Sequence, residues 1–149
     1  MTTIFEALRS DHDRQRALAD ELVATTGASD ERADVFARLR VELQAHAAAE
    51  ERHFYVALMQ DDLTQEKARH SVAEHHEIDE LIEQLEGYEL GASQWLVTAR
   101  ALQHKVSHHL DEEEQEVFQL AGKALTEQAK SSLAGDYEAE MRTQRTART

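Results

Sequence analysis

The stretch His46-Ala-Ala-Ala-Glu50-Glu51-Arg-His-Phe54-Tyr55 combines a histidine with a carboxylate one helical turn later, and its pattern returns 63 residues further along the chain. The second copy reads His109-Leu-Asp-Glu-Glu113-Glu114-Gln-Glu-Val117-Phe118. The same offset relates His12 to His75, and it relates Leu18, Leu22 and Leu39 to Leu81, Leu85 and Leu102. A fixed offset shared by several residues indicates an internal duplication, so we expect two similar helical pairs.

Composition restricts the partners and the chemistry. The chain has 149 residues, which suits a single domain over residues 1–149, and its net charge of −14 disfavours nucleic acid and anionic membrane surfaces as partners. It contains no cysteine. Disulfides, zinc fingers and thiolate-held clusters are therefore excluded, and any metal must be held by imidazole and carboxylate groups.

The N-terminal residues lack the basic, apolar and small-residue order of a signal peptide, and no apolar run approaches 18 residues. These features predict a soluble cytoplasmic protein that does not enter membranes. We expect a monomer or a small homo-oligomer.

Apolar residues recur at three- and four-residue steps, and proline is absent, which predicts an all-α fold. A capping box at Thr3 and Glu6 is expected to begin the first helix. Four helices are predicted, from this box to about Val23, from Ser29 or Asp30 to about Met59, from about Thr64 to Gly87, and from about Ala92 to Ala121. Their short connections favour an up-down-up-down four-helix bundle over residues 4–121.

A further apolar face follows the bundle. Leu125, Ala129, Leu133, Tyr137 and Met141 recur at helical spacing. This pattern predicts a short C-terminal fifth helix, residues 124–142, that covers one side or end of the bundle. The remaining tail is expected to fray.

The repeated polar residues interrupt otherwise apolar helix faces. They are His12 on the first helix, His46 and Glu50 on the second, His75 on the third, and His109 and Glu113 on the fourth. An unpaired carboxylate inside a bundle costs several kcal/mol or stays protonated, so two of them need cationic partners. No lysine or arginine lies on these faces at that level, and a metal is the simplest partner.

Four imidazoles and two carboxylates suit two first-row ions, each held by two histidines of its own half, with Glu50 and Glu113 bridging. Nitrogen and oxygen ligands with open positions favour iron, and manganese or zinc are alternatives. The competing interpretation is a metal-free bundle with buried polar clusters.

The pairing of His-x3-Glu-Glu with a lone histidine on the preceding helix resembles the hemerythrin-like, or HHE cation-binding, domains. The resemblance extends from about Ile4 to Ala121 and is closest to the symmetric members, in which each half supplies one His plus His-x3-Glu. It implies a four-helix bundle around a non-haem di-iron centre (Fe2+/Fe3+), bridged by carboxylates and an oxo or hydroxo group. The implied ligands are His12, His46, Glu50, His75, His109 and Glu113.

One departure from the oxygen carriers of this family shapes the functional prediction. They have a second histidine one turn from the third-helix ligand, whereas this chain has Ser71 and Asp79 there. One iron would therefore lack a nitrogen ligand, unless Asp79 or a water supplies a donor. The emptier coordination sphere favours redox chemistry over reversible oxygen carriage. We predict peroxide detoxification of a catalase- or peroxidase-like kind. The alternative is a non-catalytic module that binds, stores or senses dioxygen, nitric oxide or iron.

Other candidates carry weaker signals. His104 and His108 are predicted to point away from the ligand face, and His53, His70 and His76 to lie at the surface. Glu51 and Glu114 are expected either to accept hydrogen bonds from ligand histidines or to be solvated. Tyr55 is interpreted as a packing residue whose phenol could lie near the site. No residue is assigned a catalytic role.

Overall fold

The computed structural model describes residues 2–149, and these residues are helical with short connections. Seven α-helices are present in this range: α1 Ile4–Val23, α2 Asp30–Ala49, α3 Val56–Leu58, α4 Gln65–Gly87, α5 Ser93–Glu112, α6 Phe118–Ala124 and α7 Glu127–Arg148. Two π-helical segments join α2 to α3 and α5 to α6, so that each trio is one continuous rod. They are π1 Glu50–Tyr55 and π2 Glu113–Val117.

Side-chain caps fix where the helices begin. The Thr3 hydroxyl accepts a hydrogen bond from the Glu6 N–H at 3.3 Å, and the Glu6 carboxylate accepts from the Thr3 N–H at 3.1 Å, which confirms the predicted capping box. Ser29, and not Asp30, caps α2 by accepting from the Arg32 N–H at 3.1 Å. The turn between α1 and α2 contains Gly27 at a φ of +60°, a conformation that glycine adopts without strain.

The helix α1, the first trio, the helix α4 and the second trio are the first to fourth rods in chain order, and they form the predicted four-helix bundle. α1 packs against α2 and α5, and α4 packs against α5 and α2, so the four long helices surround one interior. In the part of the chain that the structure describes there is no strand, which confirms the all-α prediction. That part also contains no helix with both the length and the apolar character needed to cross a bilayer.

The C-terminal helix differs from its prediction. α7 has 22 residues and continues to Arg148, so it is not short and the tail is helical rather than frayed. It lies along one side of the bundle, against α1 and α2. The extension is held by Arg145, which donates to Asp11 at 2.9 Å and to Glu42 at 3.0 Å. The fourth rod also ends later than predicted, at Ala124.

Two apolar clusters fill the interior and leave a polar layer between them. The first contains Ile4, Leu8, Phe54, Tyr55, Leu58, Ala68, Val117, Phe118, Tyr137 and Met141. The second contains Leu18, Leu22, Leu39, Ile78, Ile82, Leu85, Trp95, Leu102 and Val106. Because each rod contributes to both clusters, the side chains of the intervening layer have fixed depths.

Arg32 lies at the end of the bundle opposite the N-terminus of α7, beside Thr25 and Leu90. Its guanidinium is buried and donates to the Thr25 hydroxyl at 3.0 Å, to the Thr25 carbonyl at 2.8 Å and to the Leu90 carbonyl at 2.8 Å. It also lies 4.8 Å from the centre of the Trp95 ring. This buried cation therefore ties the turn between α1 and α2 to the turn between α4 and α5.

Candidate metal centre

All six residues predicted as ligands meet in the polar layer, and each is at most 5% exposed. Four rods supply them: His12 from α1, His46 and Glu50 from α2 and π1, His75 from α4, and His109 and Glu113 from α5 and π2. The structure thus brings together every residue of the predicted set.

The two carboxylates occupy the middle of the layer, each between one histidine of its own half and one of the other. The Glu50 Oε1 atom is 3.3 Å from His46 Nε2 and 3.1 Å from His75 Nε2. The Glu113 Oε2 atom is 3.6 Å from His109 Nε2, and the Glu113 Oε1 atom is 3.4 Å from His12 Nε2. Each carboxylate therefore contacts one imidazole from each half of the repeat.

The donor atoms form two sets, each with its atoms within 4.8 Å of one another. One set contains His12, His46, Glu50 and Glu113, and the other contains Glu50, His75 and His109. Each set takes both of its histidines from one half of the repeat, as predicted. Glu50 belongs to both sets, whereas Glu113, which was also predicted to bridge, belongs only to the first. Asp79, considered as a replacement donor, lies in neither set.

The donor set passes a physical test for metal binding. Buried polar atoms normally have hydrogen-bond partners, and an orphan costs about 1–3 kcal/mol. Among the described residues, eight buried side-chain atoms have no such partner, and seven of them belong to this layer. They are the Nε2 atoms of His12, His46, His75 and His109, both carboxylate oxygens of Glu50, and Oε1 of Glu113. Imidazole nitrogens and carboxylate oxygens left without partners at one point fit bound cations.

The Nδ1 atom of every histidine in the layer, on the side of the ring away from the centre, has a hydrogen-bond partner. His12 Nδ1 lies 2.6 Å from Glu114, and His75 Nδ1 lies 2.7 Å from Glu51. His109 Nδ1 lies 2.7 Å from Glu74, and His46 Nδ1 lies 2.7 Å from the Tyr137 hydroxyl. An ionised carboxylate only accepts, so the three imidazoles with glutamate partners donate from Nδ1 and leave the Nε2 lone pair facing the centre, the arrangement typical of metal-bound histidine.

Sequence reasoning found half of these outer partners. Glu51 and Glu114 are the acceptors that were considered, and the offset of 63 relates them to each other. Glu74 and Tyr137 were missed. The repeat contains the signal for Glu74, since it pairs Asp11 before His12 with Glu74 before His75. No comparable signal exists for Tyr137, because it lies outside the repeat.

Two aromatic rings cover the layer on the side of the first apolar cluster. The Tyr55 ring stacks on His75 with centroids 5.6 Å apart, and the Phe118 ring stacks on His12 at 6.0 Å. The Tyr55 hydroxyl donates a hydrogen bond to Glu113 Oε2. Tyr55 is therefore both a packing residue and a polar contact of the layer.

The protonation equilibria show that the layer needs positive charge. Burial lowers the pKa of His12. Hydrogen bonds with Glu113 and Glu114, together with the negative charge of Glu113, outweigh this effect and raise the pKa to about 9. For His75 the same opposition, with Glu50 and Glu51, gives a pKa of about 10. Burial and the nearby charge of Glu50 raise the pKa of Glu113. In the metal-free protein, protons on the imidazoles thus supply the charge that cations would bring.

Both π-helical segments begin at the central carboxylates, π1 at Glu50 and π2 at Glu113. A π-helical turn accommodates one extra residue within a helix and is frequent at functional sites. After π1 begins, Phe54 and Tyr55 are both buried although they are adjacent. The widened turn is thus what lets the ring of Tyr55 cover the layer.

A small void adjoins the layer on the side of the second apolar cluster. Its volume is about 10 Å³, and His46, His75 and His109 line it together with Gln15. Gln15 is 1% exposed, and its Nε2 is the eighth orphaned atom. A void of this size is near the minimum for one water molecule. It presents one unused N–H donor to any small molecule beside the three imidazoles.

The remaining histidines lie outside the layer. His76, His104 and His108 are exposed as predicted, whereas His53 is partly buried and lies 3.1 Å from Glu140. His70 is exposed as predicted. Together with Glu74 and Glu112 it forms a third group of side chains whose donor atoms lie close enough to hold a metal ion. Lys105 lies 3.5 Å from Glu74 in that group, so a cation already faces it.

Comparison with known proteins agrees with this arrangement. A sequence model described as the Hemerythrin HHE cation binding domain matches residues 3–121. The structure resembles the crystal structure of a Hemerythrin HHE cation binding domain-containing protein from Mycobacterium kansasii, with a TM-score of 0.89 and 21% identity. That likeness covers 99% of this chain and 90% of the other, and at this identity it concerns the fold. No curated protein matches the chain.

Proposed function

The chain belongs to the hemerythrin HHE cation-binding domain family, and on that premise we propose that it is a non-haem di-iron protein that reacts with hydrogen peroxide. The observation that carries the proposal is the group of seven orphaned donor atoms in one buried layer. Such a layer is costly to fold unless its function is to hold cations.

In this proposal, His12 and His46 would hold one ion and His75 and His109 the other, with Glu50 and Glu113 as the carboxylate ligands. When bound, two iron ions would supply the exchange of two electrons with a small oxidant. The protein's own residues set the tautomer of each imidazole, exclude bulk water and offer one hydrogen-bond donor, Gln15. A set of nitrogen and oxygen donors without thiolates suits iron in this role.

Two features favour peroxide over a larger substrate. The layer is buried, and the void beside it has about 10 Å³, near the minimum for one water molecule, so among candidate substrates only the smallest, such as peroxide or dioxygen, come close to its size. The void is lined by both histidines of the three-residue donor set, His75 and His109, and by His46 of the four-residue set. A small molecule in the void would therefore lie beside imidazoles of both halves.

The proposed reaction is disproportionation, in which one hydrogen peroxide is reduced to two waters while a second is oxidised to dioxygen. Electrons balance between the two peroxides, so no further reductant is needed. Gln15 Nε2, which lines the void and has no partner, would donate a hydrogen bond to a peroxide molecule there. Tyr55, whose hydroxyl contacts Glu113, keeps its proton because burial and the charge of Glu113 raise its pKa well above the usual value.

Oxygen evolution after peroxide addition tests this function. Iron-loaded protein should evolve dioxygen catalytically, with about one dioxygen for every two peroxides consumed, and the His109→Ala variant should not. A protein that holds two irons but consumes peroxide only stoichiometrically would contradict the proposal.

The second candidate function is non-catalytic binding of dioxygen, nitric oxide or iron. It is favoured by the same closed void, since a ligand held there is shielded from water. A reversible spectral change on aeration of the reduced protein, without peroxide turnover, would support this candidate instead.

A further inference from the structure

We propose that α7 completes the metal centre, with Tyr137 as the positioning residue for His46 and Arg145 as its anchor. The proposal rests on the metal binding proposed above and adds an element from outside the duplicated bundle. α7 would then be part of the site rather than a cover on its side.

The two halves of the repeat hold equivalent histidines in different ways. His109 Nδ1 lies 2.7 Å from Glu74, which precedes the third-rod ligand His75. The residue equivalent to Glu74 is Asp11, whose side chain is shorter by one methylene group. Asp11 makes no direct hydrogen bond to His46 in the described structure; the Tyr137 hydroxyl lies between them, 2.7 Å from each. The tyrosine thus occupies the gap that the shorter carboxylate leaves.

A cation stands behind the carboxylate in both halves. In the second half, Lys105 lies 3.5 Å from Glu74. The residue equivalent to Lys105 is Glu42, which reverses the charge. In the first half the cation comes from α7, where Arg145 donates to Asp11 at 2.9 Å and to Glu42 at 3.0 and 3.1 Å. The C-terminal helix therefore supplies both groups that the first half lacks.

The direction of these hydrogen bonds defines what Tyr137 does. The Tyr137 hydroxyl donates its own hydrogen to Asp11. It therefore accepts a hydrogen bond from the Nδ1–H group of His46. His46 is thereby held as the tautomer whose Nε2 lone pair faces the donor set. Tyr137 is fully buried, with its ring edge-on to His46 at 5.9 Å, so the hydroxyl has no competing water.

The repeat provides a rescue experiment. We expect Tyr137→Phe, which keeps the packed ring, to weaken the binding of one of the two irons about 10- to 100-fold in an anaerobic ferrous titration. Adding Asp11→Glu to that variant should restore most of the lost affinity, because the longer carboxylate reproduces the contact that Glu74 makes with His109. Helical circular dichroism and the urea midpoint of the metal-free variants show whether the fold is kept.

Two outcomes would overturn the inference. An unchanged affinity in Tyr137→Phe would show that the hydroxyl is dispensable, and a loss that Asp11→Glu does not restore would trace the effect to packing. If Tyr137→Phe does not fold, Asp11→Ala removes the carboxylate that orients the hydroxyl; it should weaken the same ion, and unchanged affinity would again overturn the proposal.

Controls separate this inference from the proposed function. Glu74→Gln weakens the equivalent support in the other half and should lower the affinity of the second ion. If the wild-type protein binds two irons and Glu74→Gln weakens one while Tyr137→Phe does not, only the inference about α7 fails. If the wild-type protein binds no iron at all, the proposed function fails.

Discussion

Tyr55 and Phe118 occupy equivalent positions of the two halves, but only Tyr55 has a hydroxyl that donates to a central carboxylate. Each ring stacks on the first- or third-rod histidine, at angles of 27° and 19°. Glu113 therefore has a hydrogen bond that Glu50 lacks, and both oxygens of Glu50 are without partners. The two halves of the layer therefore offer the same kinds of metal-binding atoms but differ in the hydrogen bonds that their carboxylates receive.

Removing that hydroxyl should destabilise the metal-free protein. Tyr55→Phe leaves Glu113 buried without its donor, and a hydrogen bond to a charged group contributes about 1.5–3 kcal/mol. We expect the free energy of unfolding in urea to fall by an amount in that range. Tyr88→Phe is the matched control, because Tyr88 is 40% exposed, and it should leave the stability unchanged. Equal stability of both variants would show that Glu113 does not depend on the phenol.

Ligand substitutions should release iron. His46→Ala and Glu113→Ala each remove a donor from the buried layer, so we expect clearly less than the two irons per chain proposed for the wild type. Metal analysis after gel filtration measures this directly. His104→Ala alters an exposed histidine and should keep the full content. Retention of all iron in both ligand variants would mean that the donor set is misassigned.

Gln15→Leu should separate stability from function. The amide is buried with an unpartnered Nε2, and such a group costs about 1–3 kcal/mol, so the metal-free variant should be more stable by roughly that amount. Peroxide turnover should nevertheless fall, because the donor facing the void is lost. Thermal unfolding and oxygen evolution measure the two effects. A variant that gains stability and keeps its full turnover would remove Gln15 from the proposed reaction.

Metal uptake should release protons at neutral pH. His12 and His75 have pKa values of about 9 and about 10 in the metal-free protein, so both carry protons at pH 7 that a metal must displace. Iron affinity should therefore rise between pH 7 and 9 and fall on acidification, with iron lost between about pH 6 and 4. An indicator dye in weak buffer records the released protons. Iron binding without proton release at pH 7 would contradict these assignments.

The stability of the metal-free protein should change with pH for the same reason. Because both pKa values are raised above the ordinary 6.5, the stabilisation is complete below about pH 6.5 and is lost as the pH rises through 9 to 10. The urea midpoint of metal-free protein should accordingly fall across that upper interval. A midpoint that rises there would show that these imidazoles are not protonated in the fold.

Arg32→Lys should weaken the fold without affecting iron. A lysine cannot reproduce the three hydrogen bonds that the guanidinium makes with Thr25 and Leu90, so we expect a loss of about 2–3 kcal/mol in unfolding free energy. Iron content of the folded variant should stay the same, since Arg32 lies at the far end of the second apolar cluster. Lost iron at full helicity would indicate coupling between that end and the metal layer.

The sequence contained enough to predict the bundle and the inner residues. The helical spacing of His46 and Glu50 puts both on one face, and the offset to His109 and Glu113 selects these two among many histidines and glutamates. Caps such as Thr3 act locally, so their signals are readable without the fold. Inner positions are predictable because periodicity and duplication both constrain them.

The outer contacts were harder to predict because they depend on distances across the bundle. Tyr137 reaches His46 from α7, whose docking angle no local pattern sets. Arg145 was assigned to a fraying tail, since its carboxylate partners are more than 100 residues away in sequence. Long-range ion pairs of this kind leave no periodic trace.

The π-helical segments set the rotational phase of the second and fourth rods. An α-helix turns by about 100° per residue, so each extra residue offsets the side chains that follow by roughly that angle. Deleting one residue within Glu50–Tyr55 would restore ordinary α-helical winding and turn Phe54 and Leu58 away from the first apolar cluster, with no change in composition there. In each of these two rods, the side chains before the central carboxylate and those after it follow the helical repeat with different rotational offsets. The candidate metal layer lies where the offset changes.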